Sequence, residues 1–200
     1  MLYIYTGDGK GKTTVAIGTI VRATGAGKTC AIVFFDKNPD YCNELKILCQ
    51  LNIDAHIFGQ NRIYSSPLEK KEHSVTEFPP LEKGEQGGFN NSFPRRGFRF
   101  NNNEEDLRQA KNALNKAKRL VDKSDLLVLD ELLNSIRLEQ VALRDVLDLI
   151  DNFPKEKYLI LTGRGLPKEI AERADLISEI KNIKHPFDDL KTSAVPGIDY

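Results

Sequence analysis

Apolar residues in this 200-residue chain form short continuous runs that alternate with segments of helical spacing. The runs predict strands buried on both faces of a sheet, at residues 2–5, 29–35, 53–58, 125–131, 157–162 and 176–183. Apolar positions three and four residues apart predict helices over 13–25, 42–49, 107–121, 141–150 and 167–174. This alternation predicts an α/β fold, a mostly parallel sheet with helices on both faces.

Two of these helices have an apolar stripe that predicts a buried face. The stripe comprises Val15, Ile17, Ile20 and Val21 in the first helix, and Leu107, Ala110, Leu114, Ala117 and Val121 in the third. Core packing is also expected of Cys30, Cys42 and Cys49. Three cysteines with these spacings are too few for a disulfide framework and do not fit a zinc site.

The pattern changes between about residues 60 and 103, where Pro, Gly, Asn and charged residues are frequent. We therefore expect one domain over residues 1–200 with a long flexible loop at about 60–103. Four phenylalanines in this stretch argue against a plain linker. Either they pin the loop to the body of the protein or they face a ligand. They are Phe89, Phe93, Phe98 and Phe100.

The charge balance excludes a strong electrostatic attraction to nucleic acid or to an anionic membrane. Lys plus Arg and Asp plus Glu both number 29, so the formal net charge is zero. The sequence has no apolar run long enough to cross a bilayer, and Met1 leads directly into the first predicted strand. We therefore expect a cytoplasmic protein without a targeting segment.

The first predicted strand leads into a glycine-rich loop and then a helix, the context of a phosphate-binding loop. Lys12 can neutralise phosphate, and the Thr13 hydroxyl can hold magnesium. The usual motif has a glycine at the position of Thr6, whereas here only three residues separate Gly7 from Gly11. The loop is either a degenerate standard motif or a tighter variant. Its candidate triphosphate-binding residues are Gly7, Asp8, Gly9, Lys10, Gly11, Lys12, Thr13 and Thr14.

Two other predicted strands end in residues suited to the same ligand. Asp130 and Glu131 follow an apolar run, as in a Walker B element, and either carboxylate can hold a metal ion opposite Thr13. Arg164 stands between two glycines after the next strand, and its guanidinium suits phosphate. Because ligands of such sheets bind at the carboxyl ends of strands, we expect one site there.

These motifs, in this order, resemble those of the ATP:corrinoid adenosyltransferases over most of the chain. The resemblance implies a RecA-like P-loop fold in which reduced cobalt attacks the 5′-carbon of ATP and triphosphate leaves whole. The family's loop is similarly tight and holds ATP in reversed orientation. The matching segments are residues 5–14, 127–131, 161–165, 184–188 and 197–200, with Gly97-Phe98-Arg99-Phe100 in the middle stretch.

The resemblance also implies roles for individual residues. Lys12 and Arg164 would be catalytic and bind ATP together with the loop. Thr13, Asp130 and Glu131 would hold Mg²⁺ or Mn²⁺. Phe98 and Phe100 occupy the places of the aromatic residues that contact the corrinoid, the second being Trp in the family. The family usually has a glycine soon after the second strand, where this chain has Asp36-Lys37-Asn38.

The implied partners are ATP, a reduced corrinoid, a flavoprotein electron donor and a second copy of the chain in a homodimer. Two alternatives remain open from the residues alone. One is a P-loop phosphotransferase or NTPase with another acceptor. The other is a protein that binds ATP or corrinoid without turnover.

Overall fold

This computed structural model describes residues 1–60, 63–64, 75–76, 97–99, 102–184 and 197–198. The chain divides into two compact units, one of residues 1–60 and 104–200 and the other of residues 61–103. The second unit contains a small antiparallel sheet of three short strands. A single domain with a long flexible loop stays a prediction.

Helices and strands alternate along the first unit, as the apolar pattern predicts. Among the described residues, the strands are β1 (Leu2–Thr6), β2 (Cys30–Phe34), β3 (Asp54–Ile57), β4 (Ile63–Tyr64), β5 (Val75–Thr76), β6 (Gly97–Arg99), β7 (Leu126–Asp130), β8 (Tyr158–Thr162) and β9 (Leu176–Glu179). The helices are α1 (Lys12–Gly25), α2 (Glu44–Gln50), α3 (Glu104–Leu120), α4 (Leu132–Arg137), α5 (Leu143–Asp151) and α6 (Lys168–Ala171).

The main sheet has the strand order β3-β2-β7-β8-β1-β9, and every neighbouring pair is parallel. Strands β2 and β7 are buried along their whole length, because the side chains of both faces lie under helices. Apolar side chains of α1 and α2 pack on one face, and those of α3 to α6 pack on the other. The α/β fold with helices on both faces of a parallel sheet is therefore confirmed.

The buried face of α1 agrees with the predicted stripe in part. Ile20 is buried and Ile17 packs against the core as predicted, whereas Val15 and Val21 are exposed. Lys12, eight positions before Ile20, also lies on the buried face, and its side chain turns back into the loop that precedes the helix. A lysine carries no apolar signal, so the spacing alone did not place it there.

Two further features differ from the sequence predictions. Helix α4 was not predicted, because its 6 residues are too short a stretch to show a helical period. Cys30 and Cys42 are buried as expected, but Cys49 is exposed. Helix α2 begins at Glu44 and directs Leu48 into the core, which leaves Cys49 on the outer side.

No helix among the described residues has both the length and the apolar character that a bilayer crossing requires.

Helix α3 offers a direct test of the corrected packing. Leu114 is 5% exposed, whereas Leu107 is 43% exposed although the apolar spacing places both on one face. We expect Leu114→Ala to lower the free energy of unfolding by about 2–4 kcal/mol through the lost burial and the cavity. The control Leu107→Ala should lower it by less than about 1 kcal/mol. Urea unfolding followed by circular dichroism measures both, and equal losses would contradict the packing.

Candidate active site

Three neighbouring strands bring the predicted motifs to one edge of the sheet. The order β7-β8-β1 places the residues after Asp130, Thr162 and Thr6 side by side, because all three strands are parallel. Their carboxyl ends are the place where open parallel sheets bind ligands. The motifs that lie far apart in sequence therefore converge on one site.

The glycine-rich loop begins directly after β1 and ends where α1 begins. Gly7 and Gly11 have φ angles of 101° and 111°, which glycine adopts without strain. Lys12 is 7% exposed, and its Nζ donates hydrogen bonds to the carbonyl oxygens of Gly7 at 2.9 Å and Gly9 at 2.7 Å. Burial lowers the pKa of Lys12, and the nearby Glu131 opposes that shift. The ammonium thus lies inside the loop, where a phosphate can replace the carbonyl oxygens.

The residues that follow β9 form a wall against this loop. The Ile180 N–H donates to the carbonyl of Thr6 at 2.8 Å, and the Ile180 carbonyl accepts from the Gly9 N–H at 2.7 Å. A Cβ on Gly7 would lie 2.4 Å from the Ile180 oxygen, and one on Gly9 would lie 2.7 Å from the Lys181 carbonyl. The glycines are therefore required by close backbone approach. The sequence predicted this strand but gave no signal of its contact with the loop.

Asp130 is fully buried and joins the loop helix to two strands. Its Oδ2 accepts a hydrogen bond from the Thr13 hydroxyl at 3.1 Å, and its Oδ1 accepts one from the Thr162 hydroxyl at 2.7 Å. The acid of the Walker B-like motif and the hydroxyl of the phosphate loop are thus in direct contact. Thr162, which the sequence reasoning did not single out, orients the carboxylate.

Glu131 occupies a different position from Asp130 because the chain leaves the strand between them. Its backbone is left-handed, with φ 60°, and its N–H donates to the Thr162 hydroxyl at 2.9 Å. Its carboxylate accepts a hydrogen bond from the Asn134 side-chain amide. Burial, together with the adjacent Asp130, raises the pKa of Glu131 to about 7, against the effect of Lys12. The two carboxylates therefore have different hydrogen-bond partners, although the Thr162 hydroxyl contacts both residues.

Arg164 reaches from the end of β8 to the phosphate loop. Its Nη2 donates to the carbonyl oxygen of Asp8 at 3.1 Å, and its N–H donates to the Asn134 side-chain oxygen at 2.7 Å. The flanking Gly163 and Gly165 have φ angles of 134° and 76°, which confirms the tight turn. Arg164 is exposed at the mouth of the loop, where its guanidinium can bind an anion.

Lys37, from the end of β2, is a charged residue of the site that the sequence reasoning did not place there. Its Nζ lies 2.7 Å from Glu44 Oε1, 3.6 Å from Asp130 Oδ2 and 4.6 Å from the centre of the Phe34 ring. Burial opposes its charge, but Asp130 and Glu44 outweigh that effect and raise the pKa of Lys37. The preceding residue, Asp36, has φ 47°, a backbone conformation that suits the glycine usual in the family.

The donor atoms around Asp130 fit a small divalent cation that also binds phosphate. Within the part of the chain that the structure describes, no three His, Cys, Asp or Glu side chains are grouped as metal ligands. Magnesium, however, takes one or two carboxylates and completes its shell with phosphate oxygens and water. The carboxylate of Asp130 and the hydroxyl of Thr13 are hard oxygen ligands of that kind.

The structure brings together most of the residues predicted for the site. Gly7, Asp8, Gly9, Lys12, Thr13, Asp130, Glu131 and Arg164 belong to this cluster through the contacts described above. Gly11 ends the loop directly before α1. Lys10 and Thr14 are exposed, one in the loop and one in the first turn of α1. Phe98 lies on β6, but its side chain and the whole of Phe100 are outside the described residues.

Comparison with known proteins decides among the possible functions of this site. The family model of ATP:corrinoid adenosyltransferase BtuR/CobO/CobP matches residues 1–200. The chain belongs to the ATP:corrinoid adenosyltransferase family. It is accordingly an enzyme whose substrates are ATP and a corrinoid, and the two alternatives considered from the residues alone lose their support.

Individual relatives agree with the family match. The corrinoid adenosyltransferase of Escherichia coli K12 is 29% identical over 202 residues, covering 100% of this chain and 85% of that protein. The corrinoid adenosyltransferase CobA of Salmonella typhimurium LT2 has the same identity and coverage. A corrinoid adenosyltransferase from Sinorhizobium is 28% identical over 190 residues, covering 94% of the chain and 74% of that protein.

The backbone wall against the phosphate loop generates a prediction. A Cβ at position 9 would lie 2.7 Å from the main chain of Lys181, so Gly9→Ala must displace the loop or the wall. We expect ATP affinity to fall by about tenfold or more, and stability to fall by about 1–3 kcal/mol, as in other overpacked sites. Isothermal titration calorimetry and thermal unfolding measure the two effects.

A glycine in α1 provides the control for this substitution. Gly18 has open space around its Cα and no positive φ, so Gly18→Ala should preserve ATP binding and add about 0.5–1 kcal/mol of stability. Wild-type ATP affinity in Gly9→Ala would show that the contact with Ile180 and Lys181 does not fix the shape of the loop.

Proposed function

We propose that this adenosyltransferase moves the 5′-deoxyadenosyl group of ATP to the cobalt of a reduced corrinoid and releases triphosphate, forming adenosylcobalamin-type products. The observation that carries the proposal is the cluster of Lys12, Asp130 and Arg164 around one phosphate loop in a chain that matches the family throughout. The cluster has binding groups for triphosphate and no residue that must act as nucleophile.

The bond changes explain why no protein nucleophile is needed. The electron pair of the reduced cobalt forms the bond to the 5′-carbon, and the bond from that carbon to the triphosphate oxygen breaks. Triphosphate leaves with the electrons of the broken bond, and cobalt is formally oxidised by two electrons. The protein has to align the cobalt with the carbon and stabilise the charge of the leaving group.

Lys12 and Arg164 are suited to stabilise the leaving triphosphate. The Lys12 ammonium already binds two carbonyl oxygens inside the loop, and phosphate oxygens would replace them as acceptors. Arg164 adds a second cation from the neighbouring strand, at the carbonyl of Asp8. The N–H groups in the first turn of α1 add the partial positive charge of a helix N-terminus. These groups act on the charge that develops as the carbon–oxygen bond breaks.

The Thr13 hydroxyl and the Asp130 carboxylate would hold Mg²⁺, or Mn²⁺ in its place. Their 3.1 Å contact makes Asp130, rather than Glu131, the acid nearest to the loop hydroxyl. Glu131 would act on the ion through water or orient the site with Asn134. The ion would neutralise part of the triphosphate charge when it is bound.

The corrinoid would lie against Phe98 and Phe100, as the family resemblance implies. Their rings suit the apolar faces of a large macrocycle. A flavoprotein that supplies electrons, a homodimeric assembly and a cytoplasmic location complete the proposal. The electron donor and the homodimer come from the resemblance to the family, and the location comes from the lack of an apolar run long enough to cross a bilayer.

One experiment tests the reaction itself. Chemically reduced cobalamin is mixed with the protein, ATP and magnesium without oxygen, and the absorbance of the corrinoid and the phosphate products are followed. We expect a cobalt–carbon bond and one triphosphate for each corrinoid. Release of ADP and orthophosphate without a corrinoid product would overturn the proposal.

The loop lysine provides a sharp test of triphosphate binding. Lys12→Ala should abolish turnover, since it removes the buried cation inside the loop, and should weaken ATP binding by about tenfold or more. Lys168→Ala, on the exposed side of α6, is the control and should behave like the wild type. Undiminished turnover in Lys12→Ala would remove the loop from the mechanism.

The aromatic pair provides a test of the corrinoid half of the site. Phe100→Ala should raise the KM for corrinoid by about tenfold through lost apolar contact, while ATP affinity stays within about twofold. Phe100→Trp restores the residue usual in the family and should lower that KM. An unchanged KM for corrinoid in Phe100→Ala would contradict the assigned role, whereas parallel loss of both affinities would indicate a folding defect.

A further inference from the structure

A lysine lies beside the carboxylate oxygen that the proposed metal ion would use. Asp130 Oδ2 accepts a hydrogen bond from the Thr13 hydroxyl at 3.1 Å and lies 3.6 Å from Lys37 Nζ. We propose that Lys37 is a positioning residue that keeps free divalent cations off Thr13 and Asp130, so that the metal binds only together with the triphosphate. This inference rests on the proposed metal site and concerns the order in which that site fills.

Lys37 is held in place by more than its contact with Asp130. Its Nζ also bonds Glu44 Oε1 at 2.7 Å and lies over the Phe34 ring, and its side chain is 22% exposed. Its backbone N–H donates to the carbonyl of Phe58 at 3.1 Å. A Cβ on Gly59 would lie 2.5 Å from the backbone nitrogen of Lys37, so the residues that follow β3 pack tightly on this segment. The ammonium is therefore a fixed charge of the fold.

The position of this charge determines its effect on a cation. A divalent ion on Oδ2 would lie within a few ångströms of the ammonium, in a buried place where screening by water is weak. The ammonium also neutralises the carboxylate that would attract the ion. A bound triphosphate reverses the balance, because its oxygens coordinate the ion and add several negative charges. The ammonium of Lys37 thus weakens the binding of a free divalent ion more than the binding of an ion that arrives with ATP.

The strand order separates this role from direct phosphate binding. Lys12 follows β1 and Arg164 follows β8, so both lie on the loop side of Asp130. Lys37 follows β2, which is the neighbour of β7 on the other side. Asp130 therefore stands between Lys37 and the two cations assigned to triphosphate. A role for Lys37 at the metal ligand fits this order better than a role at the phosphates.

Manganese binding without corrinoid tests the inference on a protein that cannot turn over. Electron paramagnetic resonance measures free Mn²⁺ during titration of the wild type, with and without ATP. We expect weak Mn²⁺ binding without ATP, and Lys37→Met should tighten it by about tenfold or more, as removal of one nearby charge permits. With ATP present, Lys37→Met should change Mn²⁺ affinity by less than about threefold. Lys37→Arg keeps the charge and should resemble the wild type.

Double variants identify the ligand behind the gain. Lys37→Met also frees Glu44, so Lys37→Met/Glu44→Gln should retain the tightened binding if Asp130 is the ligand. Lys37→Met/Asp130→Asn should lose it. A gain that survives in this second double variant would overturn the inference, because the ion would then sit elsewhere. Unchanged Mn²⁺ affinity in a folded Lys37→Met protein would overturn it as well.

Two further results distinguish a failure of the role of Lys37 from a failure of the proposed metal site. If Lys37→Met lowers ATP affinity by about tenfold without changing the binding of free Mn²⁺, Lys37 is a phosphate ligand and the inference fails. If Thr13→Ala binds Mn²⁺ with ATP as tightly as the wild type does, the proposed metal site itself fails. The second result contradicts the proposed metal site, whatever the Lys37 variants show, and leaves the test of adenosyl transfer separate.

Discussion

The arrangement of the site depends on one fully buried carboxylate, that of Asp130. Withdrawing an ionised carboxylate from water costs several kcal/mol unless hydrogen bonds and an opposite charge compensate it. The compensation comes from Thr13 on the loop helix, Thr162 on β8 and Lys37 after β2. Because these partners belong to three different elements, the carboxylate is stabilised only when all three are in place. The carboxylate of Asp130 thus holds these three elements together and also lies at the centre of the site.

Around that carboxylate, the main chain does much of the positioning. Gly7 and Gly9 allow the backbone at Ile180 and Lys181 to lie against the phosphate loop, and Gly163 allows β8 to turn under α4. Backbone groups have little conformational freedom once their strands are paired, so they hold the loop more rigidly than long side chains would. Arg164 is the exception, because its exposed guanidinium reaches the loop through a long side chain.

The sequence was sufficient for the α/β class, the strands of the main sheet and the principal motifs, because these depend on local spacing. Apolar runs, glycines before a lysine and a paired acid all carry their meaning within a few residues. It was insufficient where the meaning depends on distant partners. Lys12 lies on the buried face of α1 although it is not apolar, α4 is too short to show a helical period, and the Lys37 contact with Asp130 requires β2 and β7 to pair.

The two hydrogen bonds of Ile180 also have a consequence for folding. The phosphate loop after β1 and its bonding partner after β9 are far apart in the sequence, with most of the main sheet between them. Contacts of such large sequence separation form late, since most of the chain must first be ordered. A chain that has formed β1 and α1 but has not yet added β9 to the sheet therefore carries the nucleotide motif without the final shape of its loop.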